Sequence, residues 1–347
     1  MIVPSENAPP TAIIGAGAAS PAGWGIQSLL AAIQSGEELP STPSERPGGD
    51  RPWACSARRV PPLPAGLLPR SPRLRRSSNI TKLAMGAAVE ALADAGHTQP
   101  PQGARLGLIL CVMNGCVDFT GRFFNEVLDT PTLASPILFP ETVFNAPASH
   151  VAQCLGIDGP VSTLIGEPTN LAEGLRMATT WLDAELIDQC LVIAAEEHNW
   201  LSSEAVGYYH CDLIASEGAA AFVLAPTGRG PRLSSLTGPF PFIGPSERST
   251  ALQELVASLS TSPPNAVLID GRCGIPSLDQ LEFDTWAGRS PDQVWSPKKL
   301  LGESMGASMG LQLALAVEVA RSLARPALVS SPGYNAAAYG AIVSPAS

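Results

Sequence analysis

The most regular hydrophobic pattern in the chain runs from residue 159 to 197 and predicts a strand, a turn, a helix and a second strand. Residues 161–165 alternate and include β-branched side chains, which favours a strand. Residues 166–170 are typical of a turn, and apolar residues at helical spacing follow over 171–182. Residues 190–195 are continuously apolar, as in a parallel strand that is covered on both faces.

The same two patterns recur along the rest of the chain. They predict helices at 26–35, 79–96 and 305–323, and strands at 11–17, 105–113, 216–225, 231–236, 266–270, 326–330 and 338–343. Residues 37–78 are rich in proline and arginine and are predicted to be irregular. The alternation indicates a layered α/β fold with two similar halves, residues 1–227 and 228–347.

Composition narrows the possible partners. Hydrophobic residues make up 45% of the 347 residues and charged residues 15%, so the chain can bury a large core. The formal net charge of −10 argues against nucleic acid or an anionic membrane as a general partner, and no apolar run is long enough to span a bilayer. The seven cysteines lack metal-ligand spacing and no signal peptide is evident, so we expect a reducing cytoplasm.

One segment departs from the acidic balance. Between Arg51 and Lys82 there are eight basic residues and no aspartate or glutamate. Such a run usually forms a solvated surface. The alternative is a docking surface for an acidic partner, contributed by Arg70, Arg73, Arg75 and Arg76.

Two short motifs suggest other chemistry, but their context does not support it. Gly15-Ala-Gly17 follows a predicted strand, as in a dinucleotide-binding loop, but Ser20 stands where the third glycine belongs. Residues 302–306 spell the G-x-S-x-G elbow of hydrolases. No strand is predicted before that elbow and all four histidines precede it, so close packing of a buried helix explains its glycines better.

The unit at 159–197 resembles the nucleophile-bearing core of the β-ketoacyl synthases, members of the thiolase superfamily. The helix end Asp94-Ala95-Gly96, the strand at 216–225 and the segment 135–147 (SPILFPETVFNAP) carry the same resemblance. The last of these is most similar to ketosynthases of type II polyketide and aryl-polyene systems. The resemblance covers nearly the whole chain and implies a thiolase-like fold, with two α/β halves packed as αβαβα layers, in a dimer.

The resemblance also implies where catalytic residues would lie. In ketosynthases a cysteine at the elbow accepts the acyl chain, while two histidines, supported by a lysine, act on the malonyl thioester. Matched along the motifs, the cysteine position is Pro168 and the histidine positions are Asp270 and Glu303, while the lysine is retained as Lys298. We therefore predict no catalytic residue and no independent condensing activity.

The elbow sequence Gly166-Glu167-Pro168-Thr169 resembles that of chain-length factors, the non-catalytic β subunits of type II ketosynthases. Many of those subunits have glutamine where this chain has Pro168. Neither Thr169 nor Cys273 has a base in the sequence that would make it a substitute nucleophile.

This resemblance implies a subunit that forms a heterodimer with an active ketosynthase and lines the tunnel for a growing acyl chain. The loop at residues 112–124 and the segment 135–151 are the candidate walls. The chain would be carried on the phosphopantetheine of an acyl carrier protein, and no cofactor of the subunit's own is implied. The alternative is a stand-alone homodimer that binds acyl groups or carrier protein, or performs another thioester reaction.

Overall fold

The computed structural model describes residues 11–47, 54–97, 105–208, 210–259, 265–289 and 291–346. Within these ranges the strands are β1 (Thr11–Ser20), β2 (Gly23–Trp24), β3 (Thr42–Glu45), β4 (Ala54–Arg58), β5 (Leu106–Val112), β6 (Val161–Ile165), β7 (Gln189–Glu196), β8 (Ala215–Ser216), β9 (Gly218–Ala225), β10 (Arg232–Pro241), β11 (Val267–Ile269), β12 (Gln293–Trp295), β13 (Ala327–Pro332) and β14 (Ala337–Ser344).

The α-helices of the described ranges are α1 (Ile26–Ser35), α2 (Asn79–Asp94), α3 (Val117–Asp129), α4 (Ala146–Leu155), α5 (Leu171–Asp183), α6 (Trp200–Gly207), α7 (Pro245–Leu259), α8 (Pro276–Trp286), α9 (Pro297–Leu301) and α10 (Ser308–Ser322). Short 3₁₀ turns lie at Pro131–Leu133, Phe139–Glu141 and Met305–Ala307. No helix in these ranges is both long and apolar enough to cross a bilayer.

The main sheet consists of two five-stranded sections. Strands β6-β5-β7-β9-β1 form one section and β10-β14-β13-β11-β12 the other. Each has parallel strands at its outer edge and antiparallel strands at its inner edge. The sections meet where β1 pairs with β10 over only two residue pairs, Thr11 with Leu233 and Ala12 with Arg232. The predicted division at residue 227 lies in the turn just before β10.

Alternation along the strands creates the layers. In β5, Ile109 and Cys111 face a core shared with α5 and α10, whereas Leu108 and Leu110 face a second core shared with α2 and α4. The core around α5 and α10 also takes side chains from both sheet sections, so these helices form the central layer. Helices α7 and α8 cover the outer face of the second section. The predicted thiolase-like αβαβα architecture is confirmed.

Glycines in β1 allow α2 to pack directly on the strand. A Cβ on Gly17 would lie 2.3 Å from the Ala87 carbonyl oxygen, and one on Gly15 would lie 2.1 Å from that of Ala91. From α2, the carboxylate of Glu90 accepts the N–H of Ala18 at 2.8 Å. These glycines therefore serve helix packing, and β1 continues into a hairpin with β2 rather than into a helix as a dinucleotide loop would.

The structure corrects two sequence predictions. Residues 37–78 are not wholly irregular, because β3 and β4 pair within them and β4 also pairs with β8. The candidate tunnel segment 112–124 is not a loop after Val112, since α3 begins at Val117. Helices α7 and α8 were also not predicted. Each begins with a proline followed by a polar turn, which leaves only a short apolar run to mark the helix.

We expect Gly17→Ala to lower the free energy of unfolding by about 2–3 kcal/mol, because the added methyl group overlaps backbone atoms of α2. The matched control is Gly121→Ala in α3, where a Cβ would meet no atom within 4 Å. Helix propensity favours alanine there by up to about 1 kcal/mol. Urea unfolding of both variants measures the difference. Wild-type stability of the Gly17 variant would show that α2 moves away from β1 at little cost.

Candidate functional site

The turn between β6 and α5 is tight and carries no thiol. The N–H of Gly166 donates to the carbonyl oxygen of Val112 in β5 (3.1 Å), and the side chain of Asn170 donates to a carbonyl oxygen of β6 (2.9 Å). Pro168 and Thr169 are buried where the helix begins. The elbow therefore has the predicted strand–turn–helix form, and a proline occupies the position at which the resemblance places a cysteine.

The elbow is tied to the second half of the chain by the carboxylate of Glu167. It accepts four backbone N–H groups from the loop after β13: those of Tyr334 (2.9 Å), Asn335 (3.0 Å), Ala336 (3.1 Å) and Ala337 (2.7 Å). A carboxylate has about four lone-pair positions for hydrogen bonds, so these donors satisfy it.

A buried charge cluster lies next to this loop. The Nζ of Lys298 is 2.9 Å from Oε2 of Glu303, and the hydroxyl of Tyr334 donates to the same oxygen at 2.7 Å. The other oxygen of Glu303 accepts the N–H of Met305 at 2.9 Å and the hydroxyl of Ser308. Glu303 is fully buried and Lys298 is almost fully buried. A buried charge requires a partner, and each of these two residues has the other.

The pKa values in this cluster follow from burial and from Glu303. Burial by itself would lower the pKa of Lys298, but the adjacent carboxylate raises it, so the lysine stays charged. Burial and the negative charge of Glu303 together raise the pKa of Tyr334 well above its ordinary value, so its hydroxyl stays protonated and donates. The cluster is thus an ion pair whose carboxylate also accepts a hydrogen bond from a phenol.

Asp270 lies in a separate group. Its carboxylate contacts the guanidinium of Arg272 (2.5 Å) and accepts the hydroxyl of Ser296 (3.1 Å), while its backbone oxygen accepts the buried amide of Gln312 (2.7 Å). Burial raises the pKa of Asp270, and Arg272 opposes that rise. Burial, and then Asp270, raise the pKa of the neighbouring Glu282 to about 7.

Cys273 is not a ready substitute nucleophile. The residue is buried, and burial raises the pKa of its thiol although the positive charge of Lys298 opposes this. It lines a cavity of about 620 Å³ together with Lys298, Lys299 and Arg272. A protonated thiol without an adjacent base is a poor nucleophile.

The G-x-S-x-G motif is not a nucleophile elbow. Helix α9 precedes it rather than a strand, and Ser304 is buried with its hydroxyl 3.2 Å from that of Ser308. A Cβ on Gly306 would lie 2.5 Å from a carboxylate oxygen of Glu196, so this glycine allows the close packing that the sequence indicates.

Three residues of the site were not predicted from the sequence. Tyr334 links Glu167 in the elbow to Glu303 through its backbone N–H and its hydroxyl. The guanidinium of Arg248 lies over the Tyr334 ring at 5.7 Å. The ring centroid of His210 is 5.8 Å from that of Tyr334. These contacts join segments far apart in the chain. The only local signal is the Pro-Gly-Tyr-Asn turn between two apolar strands.

Comparison with known proteins identifies the first part of the chain. Residues 8–166 match the family model of the β-ketoacyl synthase N-terminal domain. In sequence, this segment is therefore similar to a β-ketoacyl synthase N-terminal domain. The resemblance predicted from the sequence is therefore confirmed. No curated protein matches the chain by sequence.

Solved structures extend the ketosynthase likeness to the whole fold. The ishigamide ketosynthase/chain length factor superposes with a TM-score of 0.81 at 19% identity, over 98% of this chain and 100% of that one. A β-ketoacyl synthase from Burkholderia phymatum gives 0.77 at 15%, over 97% and 100%. The ketosynthase ApeO in complex with its chain length factor ApeC, from Xenorhabdus doucetiae, gives 0.76 at 13%, over 100% of both chains.

A basic cavity of about 860 Å³ lies in the segment that the family model matches. Arg73, Arg75 and Arg76 line it together with Lys82 and Arg122. Among the described residues, none of these five cations is within ion-pair distance of a carboxylate. Arg70 is exposed but does not line the cavity, and Arg51 lies outside the described residues.

Large apolar side chains are exposed around β6 and α3, within the segment that the family model matches. Strand β6 is the edge of the sheet, and none of the 13 residues of α3 is buried. Large apolar side chains are exposed along this strand, α3 and the segment that follows it: Phe124, Leu128, Leu133, Ile137, Phe139, Val143, Phe144, Val161 and Ile165. We call these nine residues the apolar face. Exposed large apolar residues in this number make this part of the chain a candidate interaction surface.

Two buried glutamates at the end of β7 bond the backbone of the segment between β5 and α3. Glu196 accepts the N–H groups of Met113 (2.9 Å) and Asn114 (3.2 Å), and Glu197 accepts that of Asp118 in α3 (3.1 Å). Burial raises the pKa of Glu196 to about 8 and that of Glu197 to about 7. Both side chains therefore hold a proton at pH values where the unfolded chain has released it.

We expect stability to fall as the pH rises from about 6.5 to about 8. The pKa of Glu196 rises from 4.5 to about 8 on folding, so its contribution is complete below about 4.5 and is lost as the pH passes its folded value. His198 acts oppositely, because burial lowers its pKa from 6.5 to about 4, but that effect ends by about pH 6.5.

Glu196→Gln should flatten the dependence of Tm on pH in this window, because glutamine does not titrate. The control is Glu254→Gln on the exposed face of α7, which should keep the wild-type dependence. Thermal unfolding across the window measures both. An unchanged slope in the Glu196 variant would assign the dependence to other groups.

Proposed function

We propose that this chain is a non-catalytic, chain-length-factor-like subunit that pairs with an active β-ketoacyl synthase. The observation that carries this proposal is the state of the three triad positions. Pro168 is buried at the elbow, Asp270 is paired with Arg272, and Glu303 is paired with Lys298. The ketosynthase fold is kept, while each position expected to carry catalysis contributes instead to internal packing or pairing.

The chemistry of condensation explains why this matters. A ketosynthase must form a thioester on a cysteine thiolate and then stabilise the enolate that decarboxylation of a malonyl thioester releases. Pro168 supplies no thiolate, and ionised Asp270 and Glu303 would repel an enolate rather than stabilise it. Lys298, the retained member, is occupied by Glu303.

The apolar face supports the second part of the proposal. Leaving nine large apolar side chains in water is unfavourable, and a partner that covers them gains about 25 cal/mol per Å² of apolar surface buried. Two of the structural neighbours are named as ketosynthase and chain-length-factor pairs. We infer that the catalytic ketosynthase covers this face of the present chain in a heterodimer.

The same face supplies tunnel walls in this proposal. Phe124 lies in the first candidate wall segment, and Ile137, Phe139 and Phe144 lie in the second. Bulky side chains at the boundary between two subunits limit how far an acyl chain extends from the partner's cysteine. The chain would be a polyketide or fatty-acid-like product on a carrier protein, with both proteins in the cytoplasm.

Capture of the tagged protein from its native host tests the pairing. We expect an equal amount of a cysteine-bearing β-ketoacyl synthase, identified by mass spectrometry, and a heterodimer mass by light scattering. Ile165→Arg should abolish the capture, because it places a charge in the covered face. The matched control is Leu186→Arg: both positions are 56% exposed, but Leu186 is near the other end of β5.

A homodimer without such a partner would contradict the proposal. That outcome would support the stand-alone alternative, in which the chain binds acyl groups or carrier protein by itself. Equal capture by the Ile165 and Leu186 variants would place the interface elsewhere.

The basic cavity supports docking of an acyl carrier protein, because its five cations attract an acidic partner. We expect Arg75→Glu to weaken binding of the carrier protein to the captured complex on the order of tenfold at low salt. The control is Arg229→Glu, which makes the same charge change at another exposed position. Fluorescence anisotropy of a labelled carrier protein measures both. Equal affinities for the two variants would identify the basic segment as solvated surface.

A further inference from the structure

The loop after β13 has the form of an anion-binding site. Four successive residues, 334–337, direct their backbone N–H groups at one carboxylate, at 2.7–3.1 Å. Successive N–H groups that converge in this way form a concave nest for anions. In this structure the anion is the side chain of Glu167, which comes from the other half of the chain.

Gly333 gives the carboxylate room at this nest. A Cβ there would lie 2.5 Å from Oε1 of Glu167 and 2.7 Å from its Cδ, closer than real Cβ atoms approach other atoms. The carboxylate therefore fits closely against the backbone at residue 333 as well as against the four donors. Such a fit restricts the ligand to a small, flat group.

A buried cation stands beside the nest. Arg248 is 6% exposed and lies between the rings of Phe242 (5.8 Å) and Tyr334 (5.7 Å). Within the described ranges its Nε has no hydrogen-bond partner and no carboxylate is within ion-pair distance of it. Glu167 is among the negative charges that act on Arg248. The surroundings therefore favour an anion independently of the N–H groups.

We propose that loop 334–337 is a carboxylate-binding site that Glu167 fills from within the chain. Its ligand class is a small monocarboxylate, and the elbow supplies that group itself. Because Glu167 precedes Pro168 directly, filling the site fixes the elbow to the second half of the chain. The inference concerns this chain alone and does not rest on a partner ketosynthase.

Chemical rescue tests the proposal. Glu167→Ala removes two carbons and two oxygens, and acetate supplies the same atoms. We expect the variant to unfold at a lower temperature than the wild-type protein, and saturating acetate to raise its Tm by about 2 °C relative to chloride at equal ionic strength. Acetamide, which is neutral and of similar size, should not raise it.

Glu167→Gln is the matched control. Its amide fills the same space but offers one acceptor oxygen in place of two, so we expect reduced stability and no response to acetate. If Glu167→Ala folds poorly in chloride, its refolding yield in acetate against chloride gives the same comparison.

Equal effects of acetate on the Ala variant, the Gln variant and the wild-type protein would overturn the proposal, since they would show that Glu167 acts only by packing. An equal response to acetamide would do the same, because it would show that filled volume and not charge restores the loop. Failure of this test and failure of the pairing are distinguishable, because the rescue is measured on the isolated protein.

Discussion

The interaction on which the centre of this protein depends is the ion pair between Lys298 and Glu303. Each charge is buried where solvation is poor, and removing either partner would leave the other without a counter-charge at a cost of several kcal/mol, about 3–5 by general experience. The phenol of Tyr334 and the first turn before α10 complete the shell around the glutamate. These contacts join the loop after β13 to α9 and the segment that follows it.

In the proposed non-catalytic role, this arrangement explains how a ketosynthase fold persists without the condensing chemistry. In an active site, a nucleophile and two histidines must leave some of their hydrogen-bonding capacity free so that they can react with a substrate. Here Glu303 pairs with Lys298 and Asp270 pairs with Arg272. Glu167 accepts the backbone N–H groups of the loop after β13. The internal partners occupy the polar groups that a substrate would otherwise meet. In the proposed role, the stability of the scaffold and the loss of reactivity thus have one physical cause.

Local periodicity was sufficient to predict much of the fold. The strands β5, β7 and β9 are buried on both faces and have continuous apolar sequences, and α10 is apolar almost all round. The helix α3 was not predicted, although its apolar residues recur at helical spacing. Motif positions located Pro168, Asp270, Glu303 and Lys298, but not the partners Arg272 and Tyr334. Tyr334 is 31 residues from Glu303 and 167 from Glu167, and no local pattern encodes such contacts.

The two ends of the main sheet differ in a way that limits assembly. Strand β6 is a five-residue edge flanked by apolar side chains, whereas β12 at the opposite end has only three residues. An open edge is a template for another chain, and a sheet with two good templates grows into a fibre. A subunit that pairs through β6 uses the longer of the two described edges of the main sheet in the first contact. Association of this kind closes on itself and stops at two chains.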